Sequence, residues 1–201
     1  MTRLVNHIYL VLMKLILAQG NPEPDYTSTR HNVGFAMINA LADQLGANWT
    51  SKTKFHALIA ETTINGEKVL LIKPTTFYNE TGDSARNLVD FYKLCTSNDL
   101  LVIHDDLALP FGTIRVRNQG RDAGNNGIKS LNSHLGTDFH RIRIGIDNDK
   151  RQQIGDTDFV LAKFSADELK HLATEITPHV IQLIENFCGG TIKITSLKTD
   201  V

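Results

Sequence analysis

Short apolar runs alternate with amphipathic segments along the chain, which is typical of an α/β domain. Residues 15–17 and 100–103 are continuously apolar and predict strands that are buried on both faces. Helical spacing between these runs predicts two helices, the first carrying Phe35, Ile38, Leu41 and Leu45, and the second Ala85, Leu88, Val89 and Tyr92. We therefore expect one α/β domain with a mixed, mainly parallel twisted sheet flanked by helices.

Turn residues and alternation predict further strands. Asn65-Gly66 separates two apolar runs, residues 57–63 and 69–72, and such a pair predicts a hairpin. Residues 113–118 alternate isoleucine or valine with arginine, and residues 141–146 repeat the pattern. Each segment is predicted to be a half-buried strand with arginines on its exposed face.

The chain ends are assigned outside the domain, which we place at residues 13–190. Residues 1–12 are interpreted as an extension, with Met13 as a possible start, because their apolar part is too short to span a bilayer and Lys14 interrupts it. Ser165 and Glu168 form a capping box that opens a helix, which Pro178 should kink without ending. This helix is expected to bury Leu169, Leu172, Ile176, Val180, Ile184 and Phe187 and to stop at Gly189-Gly190, leaving a loosely held polar tail, residues 191–201.

Composition narrows the function only slightly. The net charge of the 201 residues is -1, so it does not by itself indicate a nucleic-acid or membrane partner. Residues 115–151 nevertheless carry eight Lys and Arg against four Asp. This local excess indicates either a site for a polyanion or simply a solvent-exposed face, and charge alone favours the exposed face. Cys95 and Cys188 have no metal-binding spacing and indicate a reduced, cytoplasmic protein.

Polar residues follow three of the predicted strands. Asn21 and His31 lie after the first, Asn79 after the hairpin, and Asp105 at the end of residues 100–103. The carboxyl ends of parallel strands share one edge, where ligands bind. A carboxylate that holds one imidazole nitrogen leaves the other to take a proton from water, and carboxamides can donate to an oxyanion. This set predicts a hydrolytic site, although His31 alone could equally be a capping or packing residue.

Six sequence blocks, in order, extend this interpretation. They read GNPEPDYTSTRHNVGF, KPTTFYNETG, HDDLALPFGTIRVR, AGNNGIKSL, FHRIRIGI and DFVLAKFSADE. Together they resemble bacterial peptidyl-tRNA hydrolase from about Met13 to Phe187. The resemblance implies a single α/β domain that hydrolyses the ester between a peptide and the 3′ ribose of tRNA, and so recycles tRNA in translation.

Residue by residue, the resemblance assigns roles to matching positions. His31 falls on the family's base, Asp105 on its supporting carboxylate and Asn21 on the residue that favours blocked substrates. The substrate-contacting positions are Tyr26, Phe77, Asn79 and Asn126, and the residues facing the tRNA backbone are Arg115 and Arg117. The resemblance also implies a cytoplasmic monomer with peptidyl-tRNA as its partner, no cofactor, no metal, no membrane association and no obligate protein partner.

The chain departs from the family pattern in three loops. Ala18-Gln19-Gly20 precede Asn21 where the family has glycine-leucine-glycine, and Glu23 replaces a glycine. In the glycine-rich loop, Ala123 and Asn125 replace a glycine and a histidine. Residues 147–149 replace glycine-histidine-proline. These differences change the substrate loops and keep Asn126.

Two other functions compete with the esterase. An RNA-binding protein on the same fold with weak or no catalysis would be favoured by loss of His31 or Asp105, and both are present. A metal-dependent phosphohydrolase would use His104, Asp105 and Asp106. Neighbouring residues of a strand point to opposite faces, so one strand end cannot close a metal shell.

Overall fold

The computed structural model describes residues 13–199, so the predicted extension, residues 1–12, lies outside the described residues. One sheet runs through these residues, built from β1 (Met13–Ala18), β2 (Thr50–Lys52), β3 (Ala57–Ile64), β4 (Glu67–Pro74), β5 (Leu100–Pro110), β6 (Thr113–Arg117), β7 (His140–Asp147) and β8 (Ser196–Lys198). The helices are α1 (Val33–Gln44), α2 (Thr81–Tyr92), α3 (Thr96–Asp99), α4 (Asn126–Leu135), α5 (Arg151–Ile154), α6 (Asp156–Leu161), α7 (Ala166–His171) and α8 (Thr177–Cys188).

The sheet has a parallel centre and antiparallel edges. Its order is β2-β3-β4-β1-β5-β7-β6-β8, with β4, β1, β5 and β7 parallel to their neighbours in that central group. The β3–β4 hairpin and the β6–β7 and β6–β8 pairs are antiparallel. The predicted fold class is therefore confirmed, and the continuous apolar runs lie in the central strands because helices cover both faces there.

Two apolar cores lie on opposite faces of the sheet. One contains Ile16 and Ile103 with residues of α1 and α8, and the other contains Leu17 and Val102 with residues of α2 and α4. Alternate residues of β1 and β5 thus enter different cores, as the two-residue period of a strand requires. This double cover fixes the central strands and leaves their carboxyl ends free to form a site.

The long C-terminal helix differs from its predicted form. Leu169 is 44% exposed, so its predicted burial is wrong, whereas Ser165 and Glu168 do form the capping box. Residues 172–176 form a wide π turn before α8. Pro178 lacks an N–H, and its ring would crowd the carbonyl four residues earlier, so the wide turn carries the helix past the proline.

The tail joins the sheet, so its predicted loose attachment is wrong for residues 196–199. Ser196–Lys198 pair with β6, and the Thr199 N–H donates to the Gly112 carbonyl over 2.9 Å. A three-residue edge strand carries little hydrophobic pattern, which is why the sequence did not reveal it. No helix within residues 13–199 has the length and apolar character needed to cross a membrane.

Candidate active site

The carboxyl ends of β1 and β4 meet the part of β5 that extends past β1, and together they surround a cavity of about 440 Å³. The predicted strand end before Asp105 is wrong, because β5 continues to Pro110 and Asp105 lies within it, opposite Ile144 of β7. The predicted residues that line it are Asn21, His31, Asn79, Asp105 and Asn126. Asn125, a carboxamide that the glycine-rich loop offers beside Asn126, lines it as well, and so does Tyr78, which was given no role by the sequence. Five positions that are far apart in the chain are thus brought together, because the segments that follow β1 and β4 lie at the same edge as the extended part of β5 and the start of α4.

The central contact joins His31 and Asp105. Nδ1 of His31 lies 2.8 Å from Oδ2 of Asp105, and the aspartate is 1% exposed. Burial acts to raise the pKa of Asp105, but the nearby His31 and the hydrogen bonds from His31 and Tyr78 outweigh it and hold that pKa below its ordinary value. The carboxylate is therefore anionic at neutral pH and fixes the orientation of the imidazole.

Tyr78 supports this pair from a third element. Its hydroxyl donates to Oδ1 of Asp105 over 2.5 Å, and its ring stacks on the His31 ring with centroids 3.5 Å apart and an angle of 15°. Both carboxylate oxygens of Asp105 are thus bonded. The sequence did place Tyr78 next to Asn79 after a predicted strand. It could not show that Tyr78 contacts Asp105, because Asp105 lies on a different strand.

Asn21 is held rigidly at the end of β1. Its backbone N–H donates to the side-chain oxygen of Asn32 over 2.8 Å, and the Asn32 amide donates back to the Asn21 carbonyl over 2.9 Å. The Asn21 side-chain oxygen accepts from the Tyr78 N–H over 3.0 Å. The acceptor end of the Asn21 amide is thereby occupied, which leaves its NH₂ donors for a ligand.

Asn125 begins α4 and connects the glycine-rich loop to the site. Its side-chain oxygen caps the helix by accepting from the Ile128 N–H over 2.9 Å, and its NH₂ donates to the Tyr78 hydroxyl over 2.8 Å. A Cβ at Gly127 would lie 2.3 Å from the Gln19 amide nitrogen and 2.5 Å from the Tyr78 ring. Glycine is therefore required for α4 to approach the site this closely.

Two predicted substrate residues lie away from the cavity lining. Tyr26 is half-buried in a 3₁₀ turn (Pro24–Tyr26), and Phe77 is 53% exposed beside the site. Neither belongs to the lining of the 440 Å³ cavity. Their substrate contacts stay predictions.

The arginines of β6 and β7 lie on the same face of the sheet. Arg115 lies opposite Arg143 and Arg117 opposite Arg141 in the β6–β7 register. Arg117 and Arg143 line a second cavity of about 310 Å³, which shares Asp106 with the first. Burial and the charges of Arg115 and Arg143 lower the pKa of Arg117 from its ordinary value, as expected where like charges gather.

The expectation that both arginine pairs lie on an exposed face is wrong for Arg141. This side chain is 3% exposed, and its guanidinium donates to the carbonyls of Gly120 and Arg121 and to the Asn132 side chain over 2.7, 3.0 and 2.9 Å. Arg143 donates to Asp106. Arg141 therefore anchors the glycine-rich loop.

The side chains of His104, Asp105 and Asp106, which a metal-dependent phosphohydrolase would use, point in different directions. Nδ1 of His104 bonds the Asp105 carbonyl, the Asp105 carboxylate faces His31, and Asp106 pairs with Arg143. Within the part of the chain that the structure describes, no three His, Cys, Asp or Glu side chains are arranged to hold a metal ion. Burial lowers the pKa of His104 to about 4, so it is neutral at neutral pH.

One wall of the cavity is formed by α6, with Val160 and Leu161 facing the lining. Arg30, adjacent to His31, is 1% exposed, and its guanidinium donates to both carboxylate oxygens of Glu168 over 2.9 and 2.7 Å. The Arg30 N–H also donates to the Ala162 carbonyl over 3.0 Å. These contacts fasten the apolar wall beside the imidazole.

Comparisons with known proteins agree with this geometry. The family model described as peptidyl-tRNA hydrolase matches residues 15–198. A peptidyl-tRNA hydrolase of Ligilactobacillus salivarius is 43% identical over 87% of this chain and 94% of its own, and one of Synechocystis sp. is 44% identical over 84% and 90%. The crystal structure of peptidyl-tRNA hydrolase from Acinetobacter baumannii superimposes with a TM-score of 0.80 at 32% identity, covering 89% of each chain. A family match that takes in every strand-end residue of the cavity leads to one conclusion: the chain belongs to the peptidyl-tRNA hydrolase family.

Proposed function

We propose that this protein hydrolyses the ester between a peptide, or an N-blocked aminoacyl group, and the 3′ ribose of tRNA, with His31 as general base. The observation that carries the proposal is the 2.8 Å contact between His31 Nδ1 and the buried Asp105 carboxylate at the edge of the cavity. Nδ1 is occupied by Asp105, which leaves Nε2 of His31 to act on water.

The reaction needs no covalent intermediate. Nε2 accepts a proton from water as the water oxygen attacks the ester carbonyl, and the anionic Asp105 stabilises the imidazolium that forms. The NH₂ groups of Asn79 or Asn126 supply donors for the developing oxyanion. Collapse of the tetrahedral intermediate breaks the bond to the ribose 3′ oxygen, which takes the proton from His31. The products are a peptide acid and tRNA with a free 3′ hydroxyl.

The surroundings of the site suit the two halves of such a substrate. The apolar wall at Val160 and Leu161 can pack against peptide side chains. The neighbouring 310 Å³ cavity offers Arg117 and Arg143, and Arg115 lies beside them in register with Arg143, so the tRNA backbone is assigned to this side. The NH₂ of Asn21 is assigned to a peptide carbonyl, which accounts for a preference for blocked substrates.

The test is hydrolysis of an N-acetylated aminoacyl-tRNA and its unblocked counterpart, with chelator present. We expect cleavage of the blocked substrate, and His31→Ala should abolish most of it while still binding tRNA. Ser133→Ala on the exposed face of α4 is the matched control and should cleave like the parent. Binding of tRNA by the parent without cleavage would contradict the proposal and favour the RNA-binding alternative.

We also infer a cytoplasmic protein that acts as a monomer without an obligate protein partner. Cys95 and Cys188 are both free, which supports a reducing compartment. Sedimentation equilibrium of the purified chain should give the 22.4 kDa mass of one copy. A dimer mass at micromolar concentration would contradict the monomer.

A further inference from the structure

Tyr78 contacts three residues of the proposed mechanism, namely His31, Asp105 and Asn21. It is 3% exposed in the 3₁₀ turn that follows β4 (Tyr78–Glu80), where its ring stacks on His31 and its hydroxyl reaches Asp105. Its backbone N–H holds the side-chain oxygen of Asn21 over 3.0 Å. One residue thus links the base, its carboxylate and the carboxamide donor.

We propose that Tyr78 is a positioning residue that holds the Asp105 carboxylate and the His31 ring in their reactive geometry, with its hydroxyl proton directed to Asp105 by Asn125. This inference rests on the proposed function and adds a residue for which the sequence indicated no role. The Tyr78–Asn125 pair forms a support behind the catalytic pair.

The direction of the phenolic proton follows from the contacts of Asn125. The Ile128 N–H can only donate, so the atom of Asn125 that faces it over 2.9 Å is the side-chain oxygen. The NH₂ therefore faces the Tyr78 oxygen over 2.8 Å and donates to it. The single hydroxyl proton of Tyr78 must then go elsewhere.

Two acceptors compete for that proton. Oδ1 of Asp105 lies 2.5 Å from the Tyr78 oxygen, and the Gln19 side-chain oxygen lies 3.1 Å from it. The shorter bond to a charged acceptor is the stronger one, so the proton goes to Asp105. Burial and the charge of Asp105 raise the pKa of Tyr78 well above its ordinary value, so the phenol stays a donor at every pH of interest.

The hydroxyl changes the chemistry of the pair as well as its geometry. Asp105 is 1% exposed, so without Tyr78 its Oδ1 would be buried with no donor, and the carboxylate would be held less firmly in the plane that aligns the His31 ring. The positive end of the O–H dipole also opposes a proton on the imidazole. Removing it should favour the imidazolium and move the acid limb of the rate profile to higher pH.

Other charged groups around the pair are accounted for separately. On β5, His104 is neutral and Asp106 is paired with Arg143 of β7. Arg151 and Asp156 pair with each other at the far wall of the cavity. Asp122 of the glycine-rich loop also lines the cavity. None of these is altered in the variants below, so a shift of the acid limb reports on the altered pair.

The experiment compares Tyr78→Phe with the parent and with Tyr92→Phe, which removes a hydroxyl from the partly buried aromatic cluster on α2. For Tyr78→Phe we expect kcat to fall roughly 10- to 100-fold with KM and tRNA affinity nearly unchanged. The acid limb should move to higher pH, and the loss should disappear in a His31→Ala background. Tyr92→Phe should match the parent.

Unchanged kcat and an unchanged acid limb in Tyr78→Phe would overturn the proposal and reduce Tyr78 to a packing residue. If Tyr78→Phe fails to fold, Asn125→Asp tests the same support through kcat, which should fall, because it keeps the helix cap but presents an acceptor that draws the phenolic proton away from Asp105; an unchanged kcat would overturn the proposal. If the parent does not hydrolyse the substrate, the proposed function fails, and NMR titration of the His31 ring still decides the inference: it is supported if Tyr78→Phe moves that titration to higher pH and refuted if it does not.

Discussion

Replacing Arg141 by methionine separates an arginine that holds the fold from those assigned to tRNA. Methionine keeps much of the unbranched side-chain volume but removes every donor. The Gly120 and Arg121 carbonyls and the Asn132 side chain lose partners that lie 2.7–3.0 Å away. The matched variant is Arg117→Met, whose guanidinium donates to the backbone carbonyls of Val116 on its own strand and of Thr195 at the sheet edge.

The magnitude follows from these bonds. A hydrogen bond from a charged donor contributes about 1.5–3 kcal/mol, and the three are not additive. Burial opposes them and lowers the pKa of Arg141 to about 10, so a net loss of about 3–5 kcal/mol in the free energy of unfolding is expected. For a chain of this size that corresponds to a fall in Tm of roughly 6–20 °C.

Two measurements are needed on each variant. Thermal unfolding followed by circular dichroism should show the loss for Arg141→Met and a change under about 1 kcal/mol for Arg117→Met. Binding of tRNA between about 50 and 200 mM salt should show a slope reduced by about 0.7–0.9 for Arg117→Met, and an unchanged slope for Arg141→Met. The reasoning is refuted if Arg141→Met keeps its Tm and lowers the salt slope.

Two further outcomes follow from the site. Burial acts to raise the pKa of Glu168, but hydrogen bonds from the Ser165 N–H and Arg30 hold that pKa below its ordinary value. The Glu168 carboxylate therefore stabilises the fold fully at a pH above its pKa in the unfolded chain, and this stabilisation is lost as the pH falls through its lower pKa in the folded protein. Glu168→Gln should therefore destabilise the protein at pH 7, and the difference from the parent should shrink as acid protonates Glu168, as chemical denaturation at neutral and acidic pH would reveal. Asn21→Asp keeps the acceptor for the Tyr78 N–H but loses the donor and attracts a free α-ammonium, so discrimination between blocked and unblocked aminoacyl-tRNA should fall by about tenfold or more at unchanged Tm; equal discrimination would contradict the assignment.

The central strands and the edge that carries the site were predictable because their signals are local. Residues 15–17 and 100–103 are apolar throughout, as a parallel strand covered on both faces requires. Asn21 and His31 lie in the loop after the first run and Asp105 two residues after the second, so the rule that ligands bind at the carboxyl edge of a parallel sheet was enough to bring them together, although β5 continues past Asp105 to Pro110.

The remaining features depend on pairing across the chain. Alternation placed Arg141 and Arg143 on the same face, but only the fold reveals that residues 120–121 cover Arg141. The contact of Tyr78 with Asp105 likewise depends on how β4 and β5 lie on either side of β1. Ser196–Lys198 is too short for a strand to be predicted from its hydrophobic pattern. It forms a strand because it pairs with β6.

The most direct test of the mechanism is a double-mutant cycle of His31→Ala and Asp105→Asn in single-turnover hydrolysis of N-acetylated aminoacyl-tRNA. His31→Ala should cost roughly 10²- to 10⁴-fold in rate with tRNA binding nearly intact. Asp105→Asn should also be slow, and its acid limb should move to lower pH because the imidazolium loses the carboxylate that stabilises it.

The combination of the two changes decides the central claim. If Asp105 acts through His31, the double variant should be about as slow as His31→Ala alone, because an orienting group has no effect once the base is gone. Fully multiplicative losses in the rate, with both single variants folded, would show that Asp105 acts independently and would contradict the assignment of His31 as the general base.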